Sequence, residues 1–376
     1  MLLERLLLTN YKNIEKADLT FDTNINCFIG NNGAGKTNLL SAIYYLALTK
    51  DYFNNNDNNN IRDQEPFFII DGYFTKNDLS ERIFCAVERN KRKVIQLNGK
   101  EYERFSDHIG YVPLVMITPT DTMVIYQGSE ERRKLINFLI SQYDRNYLHK
   151  IIEYNKILES RNKLLKQFRE QRTYDKATLE TFDIQLFKRG CEIYSLRKNF
   201  LSEFLPTFKK YYYHFGPTTE EVSIAYQSQH HQENILELLY ENHNIDIASG
   251  FTTIGIHKDD LDFMINDRSL RRYGSQGQQK SFILAMKLAY YEYTLQKTSI
   301  KPLLLLDDIF DKLDSQRVEK IVQLVSAENF GQIFITDANK IRIENILEKI
   351  KSSYKIFSVN LGQIQLVSEK KTLDQL

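Results

Sequence analysis

The chain opens with short apolar runs bounded by Asn and Asp, as β-strands commonly are. These runs cover residues 2–9, 19–21 and 25–29. The last run leads directly into Gly30, and from Lys36 onward apolar residues recur every three or four positions. This order predicts a strand, a glycine loop and a helix.

The next part of the chain has the period of β-strands. Residues 54–60 contain six asparagines and no apolar side chain, which predicts an exposed loop. Beyond it, residues 67–74, 82–87 and 94–97 alternate apolar and polar positions and are followed by an Asn-Gly turn signal. We expect an antiparallel layer here, and a further strand over residues 112–117.

A helical period takes over from about residue 130 to residue 205. A polar break at residues 173–175 separates two long segments, which predicts an antiparallel helical hairpin shaped like an arm. Gly190 lies inside the second segment. Because glycine costs roughly 1 kcal/mol relative to alanine in a helix, we expect a weak point there.

The last third returns to mixed strands and helices. Strands are predicted over residues 263–265, 303–306 and 332–336, and helices over residues 276–290 and from Ser315. The uninterrupted apolar run at 303–306 is typical of a strand that is covered on both faces. An α/β fold is therefore expected, with a parallel sheet that the N- and C-terminal thirds share.

Composition narrows the class of protein. The 376 residues are 42% hydrophobic and 26% charged, which indicates a globular protein large enough for two structural units. The formal net charge is only +1, so any nucleic-acid footprint must be local. Three widely spaced cysteines argue against a disulfide framework or a zinc site. Without an apolar run of about 18 residues or a signal peptide, the chain is expected to be cytoplasmic and to have no membrane partner.

Residues 30–37 have the sequence GNNGAGKT, which fits the pattern GxxxxGK[ST] between a predicted strand and a predicted helix. Glycines allow backbone N–H groups to approach phosphates, and the helix N-terminus adds its positive end. Lys36 would reach the β- and γ-phosphates and Thr37 would ligate Mg²⁺. The alternative is a chance glycine turn before a helix. The residues predicted to bind the nucleotide here are Gly30, Asn31, Asn32, Gly33, Ala34, Gly35, Lys36, Thr37 and Asn38.

A phosphate-binding loop needs an acidic partner for its metal. Asp307 follows the apolar strand at 303–306, in the Walker B position, and Asp308 can act as a general base toward the attacking water. The alternative is that the two acids only cap a helix. About 265 residues separate Thr37 from this strand, which is the layout of SMC-like and ABC-like heads.

Residues 274–280, GSQGQQK, precede an apolar helix. The Ser275 hydroxyl and the N–H groups that follow it offer an anion site, although a simple capped helix is the alternative. In ABC-type ATPases a signature at this place binds the γ-phosphate of the ATP held by the other subunit. The residues predicted to contact ATP in this way are Ser275, Gln276, Gly277 and Gln278.

The segments GNNGAGKTN, GSQGQQK and LLLLDDIFDKLD, with GIHKDDL at 255–261 and FITDAN at 334–339, resemble the RecF family. The likeness runs over essentially the whole chain, from LTNYKN at 8–13 onward. It implies an ABC-type ATPase head with an inserted helical-hairpin arm domain. The head would comprise residues 1–125 and 246–376, and the arm residues 126–245.

The resemblance also implies an ATP-dependent DNA-binding protein of recombinational repair and replication. Such a protein acts at gapped or double-strand/single-strand junctions, with RecR and RecO, to promote loading of RecA. ATP and Mg²⁺ would be its cofactors, ATP would drive a homodimer, and DNA would stimulate a weak ATPase. By position, Lys36 and Asp308 would be catalytic, Thr37 and Asp307 would hold the metal, and residues 311–314 would form a D-loop at the dimer interface.

Three departures from ABC transporters qualify this resemblance. Asp308 stands where transporters carry Glu, which suggests the slow turnover of a switch. Thr336 and Asp337 replace the switch histidine, and no Gln follows residues 112–117, so residues 118–121 match the Q-loop by position only. The alternatives are an SMC-like or transport-type ABC subunit, and an ATP-gated DNA clamp without significant turnover.

Three further polar or aromatic segments lie outside the nucleotide-binding motifs. Residues 145–172 carry eight Lys or Arg against three acidic residues, which suits either a grip on phosphates or the solvated face of a helix. The tyrosines at 211–213 are expected to pack rather than to stack on bases. His257 and Lys258 belong either to a salt-linked loop or to a dimer-facing site.

Overall fold

The computed structural model describes residues 1–371 except 55, 233, 312–314, 327–329 and 351. Two compact units make up the chain, one formed by Met1–Asp121 with Ile283–Leu376 and the other by Thr122–Phe282. The expected boundary between residues 245 and 246 falls inside the second unit, because strands on either side of that boundary pair with each other.

The first unit contains a mixed, mainly parallel sheet that carries the glycine loop. Its strands, in spatial order, are β15 (Gln363–Lys370), β14 (Tyr354–Asn360), β3 (Ile25–Ile29), β13 (Ile333–Asp337), β12 (Leu303–Asp307) and β8 (Leu114–Ile117). Every residue of β3, β12, β13 and β8 is buried, as expected for strands covered on both faces. The prediction that the two ends of the chain share one sheet is confirmed, since β3 lies between β13 and β14.

An antiparallel sheet forms the second layer of this unit, as predicted. Its strands, in spatial order, are β2 (Ile14–Thr20), β1 (Leu2–Tyr11), β4 (Phe67–Lys76), β5 (Leu79–Glu88), β6 (Val94–Leu97) and β7 (Lys100–Glu101). Helix α1 (Lys36–Leu48) contacts strands of both sheets, and its residues from Leu39 to Leu48 are all buried. An apolar surface all round the helix is what this central position requires.

The asparagine-rich segment is more ordered than an exposed loop. A short 3₁₀ helix covers Asp57–Asn60, and the Asn60 side chain is completely buried. Asp57 accepts hydrogen bonds from Tyr45 and Lys93, which fix the segment to the unit. The expectation of exposure is therefore wrong for Asn60.

The second unit is mostly helical. Its helices are α2 (Met123–Tyr126), α3 (Ser129–Ser141), α4 (Arg145–Gln171), α5 (Lys176–Phe215), α6 (Ile235–Glu241), α7 (His243–Ser249), α8 (Leu270–Tyr273) and the start of α9 (Gln276–Thr298). A small antiparallel sheet joins them, with β9 (Val222–Gln227) and β11 (Arg268–Ser269) on either side of β10 (Asp260–Ile265). The predicted hairpin is α4 and α5. The Asp144 and Asp175 side chains cap these two helices by accepting hydrogen bonds from the backbone N–H groups of Tyr147 and Thr178.

Gly190 lies at a close contact between α5 and a neighbouring side chain. It is buried in α5, and a Cβ atom added there would lie 2.8 Å from His230 Cε1 and 2.9 Å from His230 Nε2. The absence of a side chain lets the imidazole of His230 lie directly against the helix. Glycine is needed here for close packing.

Three helices of this unit are held together by a buried charge. The Arg161 side chain on α4 is fully buried and donates to Asp183 on α5 at 2.8 Å and to Asp246 on α7 at 2.7 Å. The same guanidinium donates to Thr252, and His243 contacts the other oxygen of Asp183. The two carboxylates compensate the buried guanidinium, so the group holds α4, α5 and α7 together.

Two further helices complete the first unit after α9. They are α10 (Ser315–Ser326) and α11 (Lys340–Glu348). Asp311 ends a short 3₁₀ helix over Ile309–Asp311, and the rest of the expected D-loop, residues 312–314, lies outside the described residues.

Candidate nucleotide-binding site

The glycine loop lies between β3 and α1, where the sequence places it. Gly33 and Gly35 have φ angles of +79° and +112°, which favour glycine. The buried Lys36 ammonium donates to the carbonyl oxygens of Gly30 at 2.9 Å and Asn31 at 3.2 Å, so it lies across its own loop. A Cβ atom added at Gly33 would meet nothing within 4 Å. The loop is therefore shaped and open enough to receive a phosphate against its backbone.

Asn13 supports this loop, a role that the sequence did not reveal. Its Nδ2 donates to the Ala34 carbonyl at 3.0 Å, and its Oδ1 accepts from Asn38 at 2.7 Å. A Cβ atom at Gly35 would lie 2.6 Å from Asn13 Oδ1, so only glycine permits this approach. Asn13 belongs to the segment LTNYKN at 8–13, which resembles the RecF family but had no function assigned to it.

The C-terminal hairpin supports the loop from another side. A Cβ atom at Gly30 would lie 2.1 Å from the Val359 carbonyl oxygen of β14. In the turn between β14 and β15, the Gly362 N–H donates to the Ala34 carbonyl at 2.9 Å. Residues from both ends of the chain thus fix the loop.

The two predicted metal-binding residues lie next to each other. Thr37 Oγ1 donates to Asp307 Oδ1 at 2.9 Å, although 270 positions separate the two residues. Thr336 Oγ1 donates to the same oxygen at 2.8 Å. Burial raises the pKa of Asp307, and the neighbouring charge of Asp308 adds to this effect. A hydroxyl and a carboxylate are the hard oxygen donors that Mg²⁺ prefers, so these residues fit the ion.

Asp308 has an unusual backbone conformation. Its φ angle of +43° lies in the left-handed region, and its N–H donates to Thr336 Oγ1 at 2.9 Å. Among the described residues, none donates a hydrogen bond to its buried Oδ1. This oxygen lies beside Asp307 and has no donor. It could therefore accept a proton from a water molecule or a substrate.

The turn after β8 is fixed by ionic contacts. Asp121 accepts from the Thr118 N–H at 2.7 Å and pairs with Lys287 at 3.1 Å. Lys287 also donates to the Met116 carbonyl at 2.9 Å, and Tyr52 donates to Asp121. These residues form hydrogen bonds and an ion pair with one another, and none of these contacts involves the nucleotide loop. The positional match with a Q-loop therefore stays a prediction.

The predicted signature begins with a capping box. The Gln278 N–H donates to Ser275 Oγ at 3.2 Å, and the Ser275 N–H donates to Gln278 Oε1 at 2.7 Å. Ser275 and Gln276 are exposed at the start of a 23-residue helix. The hydroxyl that caps the helix still has its own proton to donate, so a capped helix and an anion site are compatible here. Contact with ATP stays a prediction for these four residues.

The cationic excess at 145–172 is partly structural. Arg161 is buried, Lys150 pairs with Glu192, and Lys163 pairs with Glu159. Arg169 donates to the Ser249 carbonyl. The exposed cations of this stretch with neither an ion pair nor a side-chain hydrogen bond among the described residues are Arg145, Lys156, Lys166 and Arg172. They are spread over the whole length of α4.

Ion pairs hold the segment at 255–261 in place, while a dimer-facing role for His257 and Lys258 stays a prediction. Asp260 pairs with Arg132 and Asp259 with Arg197, at 2.7 and 2.8 Å. His257 Nδ1 contacts the Tyr154 hydroxyl at 2.8 Å, and burial lowers the pKa of His257 to about 4. Of the tyrosines at 211–213, the first two are buried, as expected of packing residues.

Comparison with known proteins assigns the family. Residues 2–365 match the family model described as the RecF/RecN/SMC N terminal domain. The chain is 47% identical to the DNA replication and repair protein RecF of Flavobacterium johnsoniae, a match that covers 96% of this chain and 100% of that protein. It is 43% identical to the RecF of Bacteroides fragilis over 99% of this chain and 100% of the relative.

This chain belongs to the RecF family of DNA replication and repair proteins.

Solved structures agree with the RecF assignment and with the ABC-type head fold. A structure of the recombination mediator protein RecF with ATP, in the RecFOR pathway, has a TM-score of 0.88 at 29% identity and covers 98% of each chain. An Smc head bound to the C-winged helix domain of ScpA has a TM-score of 0.59 at 14% identity and covers 100% of this chain and 99% of that one. The Smc likeness shows the fold alone. In the described part of this RecF-family chain, no helix has the length and apolar character to cross a membrane.

Proposed function

We propose that this RecF-family chain is an ATP-dependent DNA-binding protein of recombinational repair and replication. One observation supports ATP binding. Lys36 lies across an open glycine loop, and Thr37 donates a hydrogen bond to Asp307 beside it. A structural neighbour at 29% identity is a RecF with ATP. In this proposal the loop N–H groups and Lys36 hold the phosphates, while Thr37 and Asp307 hold Mg²⁺, which supplies positive charge against the phosphate oxygens.

Turnover is proposed to be slow and to be stimulated by DNA. Asp308 is the general base, and its left-handed backbone conformation fixes where its carboxylate can reach. Asp is one methylene shorter than the Glu that ABC transporters carry at this place. Hydrolysis then resets a switch rather than driving transport. Lys36 contributes by neutralising charge that develops on the phosphates.

ATP is proposed to join two copies of the chain. The exposed Ser275 and Gln276, followed by Gly277 and Gln278, would contact the γ-phosphate held by the partner copy. The observation behind this step is the Ser275 hydroxyl, which accepts from Gln278 and keeps a proton to donate. The 311–314 segment is proposed to lie beside the same interface.

The cellular role is proposed from the relatives. Their names state DNA replication and repair, and a structural neighbour is placed in the RecFOR pathway. We propose action in the cytoplasm on double-stranded DNA and on gapped or double-strand/single-strand junctions. RecR, with RecO, would be the partner, and loading of RecA the outcome. Residues 1–125 and 246–376 are proposed to act as the ATPase head, which would then include residues 122–125 and 246–282 of the second unit, and residues 126–245 as the arm.

Light scattering with and without ATP tests the nucleotide-driven dimer. Wild-type protein should become a dimer with ATP, whereas Lys36→Arg and Ser275→Arg should stay monomeric. The Ser275 variant should still bind labelled ATP, because its own glycine loop is intact. ATP-driven dimers of Ser275→Arg would contradict the contact across the interface.

A clamp without significant turnover is the second candidate, and the short Asp308 side chain favours it. Steady-state ATP hydrolysis, measured with and without DNA, separates it from a DNA-stimulated ATPase. The clamp should bind DNA only with ATP and should show no DNA-dependent rise in hydrolysis.

A further inference from the structure

Three arginines and one tyrosine stand together just before the predicted signature. Residues 268–273 have the sequence RSLRRY, with no acidic residue among them. Arg268 lies on β11, while Arg271, Arg272 and Tyr273 lie on α8. All four are exposed, and the Tyr273 side chain is 66% exposed. The motifs of the nucleotide site do not include any of these four residues.

The three guanidinium groups are available to a ligand. Nearby acids include Asp262, Asp267 and Asp260, and Asp260 is already paired with Arg132 at 2.7 Å. Among the described residues, no carboxylate lies within salt-bridge distance of Arg268, Arg271 or Arg272. Asp262 lines the same surface depression as Arg271 and Arg272, so the patch is cationic but not uniformly so. Exposed arginines without partners bind phosphate oxygens in a bidentate manner.

We propose that Arg268, Arg271, Arg272 and Tyr273, the arginine–tyrosine patch, bind the sugar–phosphate backbone of DNA. This inference rests on the proposed function and names the contact surface for DNA. The arginines would neutralise phosphates without reading the base sequence, and the Tyr273 ring would lie against a sugar or an unpaired base. Residues 268–273 hold three exposed arginines and no acidic residue, and this excess of positive charge suits a polyanionic ligand such as a phosphate backbone.

Charge density favours this patch over α4. Its three arginines fall within five residues, whereas the four exposed, unpaired cations of α4 and its C-cap extend from Arg145 to Arg172. Phosphates on one strand are close neighbours, so cations grouped within five residues can engage adjacent phosphates together.

The patch is rigidly connected to Ser275. Leu270, which begins α8, is fully buried, and its carbonyl accepts from the Gly274 N–H at 3.0 Å. Gln279 Nε2 donates to the carbonyl oxygens of Leu270 at 3.3 Å and Gly274 at 3.2 Å. A Cβ atom at Gly274 would lie 2.6 Å from the Leu270 carbonyl oxygen, so the turn cannot relax around a larger residue. A short hydrogen-bonded turn thus joins the patch to Ser275.

Two charge-matched double variants of the full chain test the patch. Arg271→Ala with Arg272→Ala removes two cations from the patch, and Arg145→Ala with Arg172→Ala removes two exposed, unpaired cations at the two ends of α4. Binding of a labelled duplex with ATP and Mg²⁺ is measured by fluorescence anisotropy over a range of salt concentrations. The patch variant should bind about 10- to 100-fold more weakly, and the slope of log affinity against log salt should fall by about 2. The α4 variant should bind like the wild type.

Two further measurements identify the source of the phosphate and the role of the ring. Without DNA, ATP-driven dimerisation and nucleotide affinity of the patch variant should match the wild type. Tyr273→Ala should weaken binding of single-stranded DNA more than Tyr273→Phe, because only the former loses the ring. All the substituted residues are exposed, so thermal unfolding should be unchanged.

Each contrary result has a distinct meaning. If the patch variant binds DNA with wild-type affinity, the patch is not the DNA contact, whether or not the α4 variant loses affinity. The proposed function is then unaffected. Weakened dimerisation without DNA assigns the arginines to the partner's nucleotide instead. If the wild type does not bind DNA with ATP, the proposed function fails, and the patch fails with it.

Discussion

Thr336 donates a hydrogen bond to the carboxylate of Asp307 at 2.8 Å, and the same hydroxyl accepts one from the Asp308 N–H at 2.9 Å. One fully buried side chain on β13 therefore contacts both Asp307, the last residue of β12, and Asp308, which follows it. An ABC transporter has its switch histidine at this place. Here Thr336 contacts Asp307 and Asp308 directly. The sequence alone did not predict this role, because the ABC transporter pattern has a histidine at this place.

Replacing Thr336 by Val should slow ATP hydrolysis while nucleotide affinity changes little. Val keeps the shape but removes the hydroxyl, so Asp307 loses one donor and the buried Asp308 N–H loses its acceptor. A hydrogen bond to a charged group is worth about 1.5–3 kcal/mol, which corresponds to a rate loss of roughly 10- to 100-fold. Single-turnover hydrolysis and binding of a fluorescent ATP analogue provide the two readouts.

Thr336→Ser is the matched control, because it restores the hydroxyl and should restore most of the rate. The unfolding midpoint of the nucleotide-free protein should also fall in the Val variant and recover in the Ser variant. A Val variant that hydrolyses ATP at the wild-type rate would remove the positioning role.

Gly190→Ala should destabilise the protein, in spite of the helix propensity of alanine. The added Cβ would lie 2.8 Å from His230 Cε1, so either the imidazole or α5 has to shift. Overpacking of this kind costs about 1–3 kcal/mol, which exceeds the roughly 1 kcal/mol gained from propensity. Urea unfolding measures the difference. Ser195→Ala, at an exposed position of the same helix, should be neutral or slightly stabilising. A more stable Gly190→Ala protein would show that the close approach to His230 has no energetic importance.

Arg161→Met should be among the most destabilising single changes in α4. It leaves Asp183 and Asp246 buried without their shared cation, at a cost of about 3–5 kcal/mol. Lys156→Met, on the exposed side of the same helix, should change stability by less than about 0.5 kcal/mol. Chemical denaturation of both variants checks the contrast, and equal effects would refute it.

Acid should weaken the second unit through His230. Burial, reinforced by the charge of Arg197, lowers the pKa of His230 to about 4. An unfolded chain takes up this proton near pH 6.5, so between about pH 6.5 and 4 the unfolded state binds more protons. Stability is therefore lost as the pH falls through this window, by at most about 1.4 kcal/mol per pH unit. His230→Gln should reduce the slope of unfolding free energy against pH, and an unchanged slope would exclude His230 as the source.

Much of the nucleotide site followed from local sequence. β3 and the start of α1 were predicted at the correct residues, because an apolar strand, a glycine loop and a helical period occur in direct succession. Motif chemistry alone predicted that Thr37 and Asp307 hold the same metal, and the structure places the two side chains 2.9 Å apart. Asn13 and Thr336 were missed as functional neighbours because their importance lies in contacts with residues far along the chain.

The errors have physical causes as well. Helix propensity predicts that Gly190 is unfavourable. Propensity describes the helix alone and does not include the His230 imidazole that packs against the backbone. The polar composition of the segment predicted that Asn60 is exposed to solvent. In the structure its side chain is buried at the end of a 3₁₀ helix. The count of cations in 145–172 included Arg161, whose partners Asp183 and Asp246 come from other helices and cannot be read from the spacing in α4.

The position of β3 between β13 and β14 has a consequence for synthesis on the ribosome. The strand that leads into the glycine loop emerges early, but its neighbours in the sheet are translated about 300 residues later. At about 5–20 residues per second, this leaves the strand without partners for roughly 15–60 s. A nascent chain therefore cannot complete its ATP pocket, and only a nearly finished polypeptide can become a nucleotide-responsive subunit.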